Sequence, residues 1–281
     1  MIKNIIVLGG SGYLGNAIAK RFKNDSRYTI AIGDLEKPKN TDLDFVQVDV
    51  LNKSLIDDAI KAYDLIINCT GQITNPLNVC FTVNTEGIDN IVEAVKINNK
   101  KLFHISTLAI YGSTRYADEQ SQINPESPYA TCKAFAEYCI KLNLAEIKYC
   151  ILRIPNLYGK NQPKGLFAYL SKSLRSNKKL YFNNDGSLTR YFLHVSDCAE
   201  AIYSSVNTDL AGTYNLPSYD KYNLKEIISF VEDKLEIQFE KEFASIKPIE
   251  NIDKINFSLF IEKTKFEPKV KLDDFIDKEF S

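Results

Sequence analysis

Short apolar, β-branched runs alternate with amphipathic stretches along the first half of the chain. NIIVLGG reads as a buried strand, followed by a helix from about Tyr13 to Lys23. YTIAIGD is a second strand, DFVQVDV a third and YDLIINCTG a fourth. A long helix, LNVCFTVNTEGIDNIVEAVKINN, precedes a fifth strand, KLFHISTLAIYG. PYATCKAFAEYCIKLNL is another helix and KYCILRIPNLYG a sixth strand. Continuous apolar strands separated by helices predict a parallel sheet covered on both faces. Right-handed crossovers make this α/β arrangement a doubly wound Rossmann sheet.

Beyond Asn156 the rhythm loosens. LFAYLSKSLRSNKK reads as a helix leading into LYFNNDGSLTRYFLHVSD and a return helix, DCAEAIYSSV. One more clear helix, NLKEIISFVEDKL, is followed by a polar, lysine-rich tail. The expectation is a dinucleotide-binding Rossmann domain over 1–156, rejoined by 189–215. A smaller, discontinuous α/β substrate domain would comprise 157–188 and 216–281. It would lie over the C-terminal ends of the strands, where open α/β sheets bind ligands.

Composition narrows the partners. The 281 residues are 44% hydrophobic and 25% charged, with a net charge of -1, which describes a globular chain without a nucleic-acid-binding face. No apolar run is long enough to span a bilayer. MIKNIIVLGG lacks a signal-peptide cleavage pattern, so a cytoplasmic protein is expected. The six cysteines form no C-x-x-C pair and read as buried, reduced thiols. With only His104 and His194, far apart, neither a zinc site nor a histidine-based triad is expected.

The first strand runs into GGSGYLG, which satisfies G-x-G-x-x-G at Gly10, Gly12 and Gly15, and G-x-x-G-x-x-G at Gly9, Gly12 and Gly15. Such a loop lets the backbone approach a pyrophosphate, which the following helix N-terminus attracts. Asp34, 19 residues after Gly15, ends the second strand. A carboxylate there accepts hydrogen bonds from ribose hydroxyls and repels a 2′-phosphate, favouring NAD over NADP. Lys37 and Lys39 lie near enough to soften that preference. Asp49 ends the third strand, within reach of an adenine edge.

Tyr129 and Lys133, four apart in SPYATCK, would share one helix face. An unperturbed phenol, with a pKa of about 10, is a poor base at neutral pH. A neighbouring ammonium and a positive nicotinamide ring would stabilise the phenolate. Ser106 and Thr107, at the end of the fifth strand, offer hydroxyls to hold a substrate oxygen.

GGSGYLG, Asp34, STLAIYG, SPYATCK, RIPNLYG and TRYFLHVSD, in this order, resemble the extended short-chain dehydrogenase/reductase family. The likeness is to its NAD-dependent nucleotide-sugar epimerase/dehydratase branch and runs nearly end to end. The resemblance implies Tyr129 as acid/base, Lys133 as its partner and Thr107 on the substrate oxygen, with Ser106 the weaker candidate. It assigns the dinucleotide to Gly9, Gly12, Tyr13, Leu14, Gly15, Asp34, Asp49, Val50, Cys69 and Thr70, together with Tyr129 and Lys133. Asn156 and Arg190 match positions that bind the nucleotide diphosphate, whereas Asn84, His194 and Asp197 match structural ones. A place in cell-surface polysaccharide biosynthesis is implied.

Within that branch, dehydratases carry an acid and a base where this chain has Leu108 and Ala109, and decarboxylases a glutamate at Ala109. Two reactions fit better: 4-epimerisation of a nucleotide sugar with bound NAD, or 4-keto reduction of a nucleotide keto-deoxysugar. The tail, SIKPIENIDKINF, lacks the second diphosphate-binding arginine usual in epimerases and has only lysines. A non-catalytic Rossmann sensor or scaffold is the remaining class, and it has no need of Thr107, Tyr129 and Lys133. The family also implies a homodimer through the two long helices, here around 77–99 and 128–146, as a four-helix bundle; the second carries Phe135, Ile140 and Leu144, some of which must face the sheet.

Overall fold

In the computed structural model, residues 1, 39–40, 72–74, 146, 177, 248 and 281, and the side chains of 279 and 280, lie outside the described part. The apolar run Asn4–Leu8 (β1) forms the middle of a parallel sheet. Thr29–Asp34 (β2) and Asp44–Gln47 (β3) lie on one side of it. Leu65–Asn68 (β4), Lys101–Thr107 (β5), Tyr149–Ile154 (β6) and Gly212–Asn215 (β10) lie on the other, giving the order β10-β6-β5-β4-β1-β2-β3. The strand order reverses between β1 and β4, which places a ligand crevice at their C-terminal ends.

Side chains alternate in direction along each strand and so feed two cores. Ile5, Val7, Ile32, Ile67 and Phe103 pack toward Tyr13–Lys23 (α1) and Val195–Asn207 (α6). Ile6, Leu8, Ile66 and Ile151 pack toward Lys53–Ile60 (α2), Leu77–Ile97 (α3) and Pro128–Asn143 (α4). A parallel crossover from β3 to β4 needs a covering element, and α2, absent from the sequence reading, supplies it. It is short, capped by Asn52, and buries just Ile56 and Ile60, too weak a stripe to read from periodicity.

The sixth strand was expected to run unbroken to Tyr158; instead it divides at Pro155. Proline has no N–H to donate to a ladder. Before it, β6 pairs with β5 and β10; after it, Asn156–Tyr158 (β7) pairs with Thr189–His194 (β9) in another sheet. That second sheet is completed by Asp220–Asn223 (β11), and Lys179–Phe182 (β8) pairs with Glu240–Phe243 (β12) beside it. Leu166–Leu174 (α5), Leu224–Leu235 (α7) and Leu272–Phe280 (α9) surround a separate core around Tyr158, Phe167 and Phe275.

The lysine-rich tail also buries apolar side chains. Ser258–Thr264 (α8) and the residues after it place Phe260 and Phe266 in the core of the large sheet. Ile252, Ile255 and Phe257 pack on Leu108, Ile110 and Tyr111. Of the three residues named on the second long helix, some face the sheet, as expected. Ile140 and Leu144 are fully buried against the sheet, whereas Phe135, Tyr138 and Leu142 of α4 and Leu77 and Phe81 of α3 are exposed.

Candidate active site

The crevice between β1 and β4 is built by close backbone approach. Gly9 has φ +72°, and a Cβ there would sit 3.0 Å from the carbonyl carbon of Cys69. A Cβ on Gly15 would lie 2.3 Å from the Gly9 oxygen, so α1 starts against the loop itself. Gly12 caps α1 without a side-chain hydrogen bond, and the first turn, with Tyr13, Leu14 and Gly15, faces the groove with its amides and dipole. Asp34 is fastened to this loop: one carboxylate oxygen accepts from Ser11 N at 2.9 Å, the other from Leu35 N at 2.8 Å. A carboxylate has about four acceptor sites, so two remain for ribose hydroxyls.

Across the groove, the Asn68 side-chain oxygen accepts from Thr70 N at 2.9 Å and from Thr70 Oγ1 at 2.7 Å, fixing the Cys69–Thr70 turn. Burial pushes the Cys69 thiol up to about 12, so this residue offers backbone rather than a thiolate. Because β3 ends at Gln47, Asp49 lies in the following turn, where its carboxylate accepts from Leu51 N at 2.9 Å. Val50 follows it, half-buried, and Lys37 is exposed. Lys39 lies outside the described residues.

Ser127 and Pro128 start the helix that carries the candidate acid/base. The Ser127 hydroxyl accepts from Ala130 N at 3.2 Å, and Pro128 stands where its missing N–H is harmless. Tyr129 is half-buried in the first turn, and Lys133 comes one turn later, fully buried. Lys133 Nζ donates to the carbonyls of Thr70 at 3.0 Å and Ile105 at 3.1 Å, linking α4 to the ends of β4 and β5. Burial pulls its pKa down from 10.5 to about 8. Thr107 ends β5, and its hydroxyl oxygen accepts from Ala109 N at 3.2 Å. That oxygen keeps its own proton to donate.

Ser106 is a correction. It points to the opposite face from Thr107, has no exposed surface, and donates to Glu137 Oε1 at 2.6 Å. It therefore serves a buried network that the sequence reading missed. Arg153 donates Nε to Glu137 Oε1 at 3.0 Å and Nη2 to Oε2 at 2.7 Å, with both side chains 1% exposed. Arg153 Nη1 also reaches the Tyr111 hydroxyl at 2.6 Å. The available signal was an arginine inside the apolar strand CILRIP, and a glutamate four residues beyond Lys133.

On the other side of the crevice Asn156 is exposed on β7. Arg190, on β9, engages both arms of its guanidinium within the protein: Nη1 donates to Glu250 O at 2.6 Å, and Nη2 to Ile249 O at 3.1 Å. Asn84, His194 and Asp197 serve the fold. Asn84 donates to Gly71 O at 3.0 Å, His194 caps α6, and Asp197 accepts from the amides of Lys269 and Val270, both at 2.8 Å. Among the described residues no group of three or more His, Cys, Asp or Glu could hold a metal, and no helix is long and apolar enough to cross a membrane.

A glycine cradle at a sheet switch point, with a carboxylate at the end of the next strand, is the arrangement of a dinucleotide-binding fold. The chain belongs to the NAD dependent epimerase/dehydratase family, whose sequence model matches residues 5–216. A protein of Methanocaldococcus jannaschii, provisionally named UDP-glucose 4-epimerase, is 30% identical over 269 residues, covering 88% of this chain and 86% of the relative. A dTDP-glucose 4,6-dehydratase of Neisseria gonorrhoeae is 25% identical over 282 residues, covering 88% and 80%. The fold superposes on a UDP-glucuronic acid 4-epimerase from Bacillus cereus, crystallised with UDP-glucuronic acid and NAD. The TM-score is 0.88, at 23% identity, over 99% of this chain and 98% of that one.

Proposed function

We propose that the chain is a nucleotide-sugar 4-epimerase that works with a retained NAD. One observation carries this reading. Lys133, one turn after Tyr129 on α4, reaches the Thr70 carbonyl at the crevice, while the positions after Thr107 are Leu108, buried, and Ala109, neither able to move a proton. The pocket thus supplies one acid/base, enough for alcohol–ketone interconversion and too little for water elimination.

The crevice fits NAD: the Gly9–Gly15 cradle admits a pyrophosphate, and the spare acceptor sites of Asp34 suit a free ribose. Asp49, Val50, Cys69 and Thr70 would border the adenosine and the approach to the nicotinamide. When bound, NAD supplies reversible hydride acceptance at a carbon bearing a hydroxyl. Tyr129 takes the hydroxyl proton and later returns it. Lys133, held between Thr70 and Ile105, keeps a positive charge beside the phenolate and lowers its basicity toward neutral pH. Thr107 donates to the sugar oxygen and fixes its distance from the phenol. Asn156, exposed on β7, would hold the nucleotide diphosphate, and Arg190 would join it only by releasing the carbonyls of Ile249 and Glu250. The outer face of α3 and α4 is assigned to a second copy of the chain, and the cytoplasm is the proposed compartment.

The runner-up is a 4-ketoreductase. Lysines in place of an arginine in the tail favour it, because an ammonium gives no bidentate grip on a diphosphate. The deciding experiment denatures the purified protein and assays released NAD(H) and NADP(H). It then tests UDP-sugars for 4-epimerisation with the native chain and with Tyr129→Phe. About one NAD per chain, with epimerisation that falls on the order of 10²–10⁴-fold in Tyr129→Phe, is the expected result. An empty crevice that prefers added NADPH would replace this reading with the ketoreductase.

A further inference from the structure

Glu250 lies between β12 and α8, far in sequence from every residue assigned to the reaction, yet it joins three elements that frame the site. Its carboxylate accepts from Ser127 Oγ, the cap of α4, and from Arg190 Nη2 of β9 at 3.3 Å. Its amide donates to Glu126, whose carboxylate also accepts from Ser113 Oγ at 2.7 Å. Asn251 extends the junction: its amide reaches Ser113 Oγ at 3.2 Å, its carbonyl accepts from Thr114 N, and its side chain accepts from Thr189 N, both at 3.0 Å. Glu250 itself is held at φ 58°, a left-handed conformation that a side chain with a Cβ disfavours. The side chain is 11% exposed. A strained, largely buried glutamate with this many partners is fixed by its surroundings.

Ser127 has a single hydroxyl proton. Donating it to Glu250 leaves an oxygen lone pair for Ala130 N, 3.2 Å away, so the carboxylate and the helix cap reinforce each other. Tyr129 is in the first turn of that helix and takes its direction from the cap. We infer that Glu250 is a positioning residue for Tyr129, acting through Ser127. This rests on the proton-transfer role proposed for Tyr129. Arg190 stays tied to the carbonyls of Ile249 and Glu250 whatever side chain stands at 250, so substrate affinity should depend on Glu250 less than turnover does.

The test compares Glu250→Ala, Glu250→Gln and Ser127→Ala in two arms. In the first, 4-epimerisation of a UDP-sugar is measured. Glu250→Ala should lower kcat at least about tenfold with KM within about threefold, and Glu250→Gln should restore most of the loss because its amide oxygen still accepts from Ser127. Ser127→Ala should match Glu250→Ala, and the double variant should lose little more. In the second arm, amide exchange over residues 129–133 should accelerate about fivefold or more in Glu250→Ala and stay near native in Glu250→Gln. If the native chain turns over no UDP-sugar, the functional reading fails and the exchange arm alone judges Glu250. A lowered melting temperature with native kcat and native exchange would overturn the inference, leaving a mere brace. Equal loss in the Gln and Ala variants would overturn it too.

Discussion

Lys133 shows what a buried cation gives up for its position. Its ammonium is fully buried, with carbonyl oxygens rather than a carboxylate as its hydrogen-bond acceptors, and burial lowers its pKa from 10.5 to about 8. Between these two pH values the unfolded chain binds a proton that the folded chain has released, so stability rises with pH across that window. Below pH 8 the full penalty applies, about 3 kcal/mol at ~1.4 kcal/mol per pH unit. Lys133→Met should therefore be more stable than the native protein at pH 7 by about 1 kcal/mol, once roughly 1 kcal/mol for each of the two lost hydrogen bonds is allowed for. The gap should close toward pH 10. Urea denaturation at both pH values checks this, and a gap that ignores pH would contradict it. Neighbouring residues can also have opposite fates: Thr107 faces the crevice and Ser106 the core, because side chains alternate along a strand.

At the scale of elements, α4 combines chemistry and structure in successive turns. Tyr129 and Lys133 lie in its first half, and Glu137, one turn on, locks with Arg153 of β6. Removing one partner of a buried ion pair strands the other. Glu137→Ala should destabilise the protein by about 3–5 kcal/mol, whereas Glu137→Leu combined with Arg153→Met should restore most of that loss. Chemical denaturation of the three proteins decides it; equal stability of Glu137→Ala and the native chain would refute the account. The helix itself was legible, since Ser-Pro-Tyr is a start signal and the apolar positions repeat with a helical period. Its salt bridge was not, because Arg153 is 16 residues away and the contact depends on how α4 packs over β5 and β6. The same limit hid α2, whose two buried residues make no visible stripe, and the break at Pro155, where a continuous apolar run changes sheets.

For the whole molecule, the doubly wound sheet and the glycine-rich turn after β1 were written in local patterns. The folded tail and the junction at Glu250 and Asn251 were not, since each depends on contacts between distant segments. Phe81, Phe135, Tyr138 and Leu142 are exposed apolar side chains on the adjoining helices α3 and α4. A second copy covering them should give twice the 31.9 kDa chain mass by light scattering at micromolar concentration, falling to one in Phe81→Glu/Leu142→Glu. A single-chain mass for the native protein would sink the dimer.

The strand that changes sheets at Pro155 has a mechanical consequence. Ile154 ends β6 and Asn156 begins β7, and a second crossing is as abrupt, with His194 ending β9 directly before α6. β7 and β9 are paired in parallel, so the chain enters this pair at Pro155 at one end and leaves it at His194 at the other. Consecutive Cα atoms are fixed about 3.8 Å apart, which leaves no slack for sliding there. The two sheets are bound like a book with stitches at Pro155 and His194, where no spare thread lets one page slip past the other.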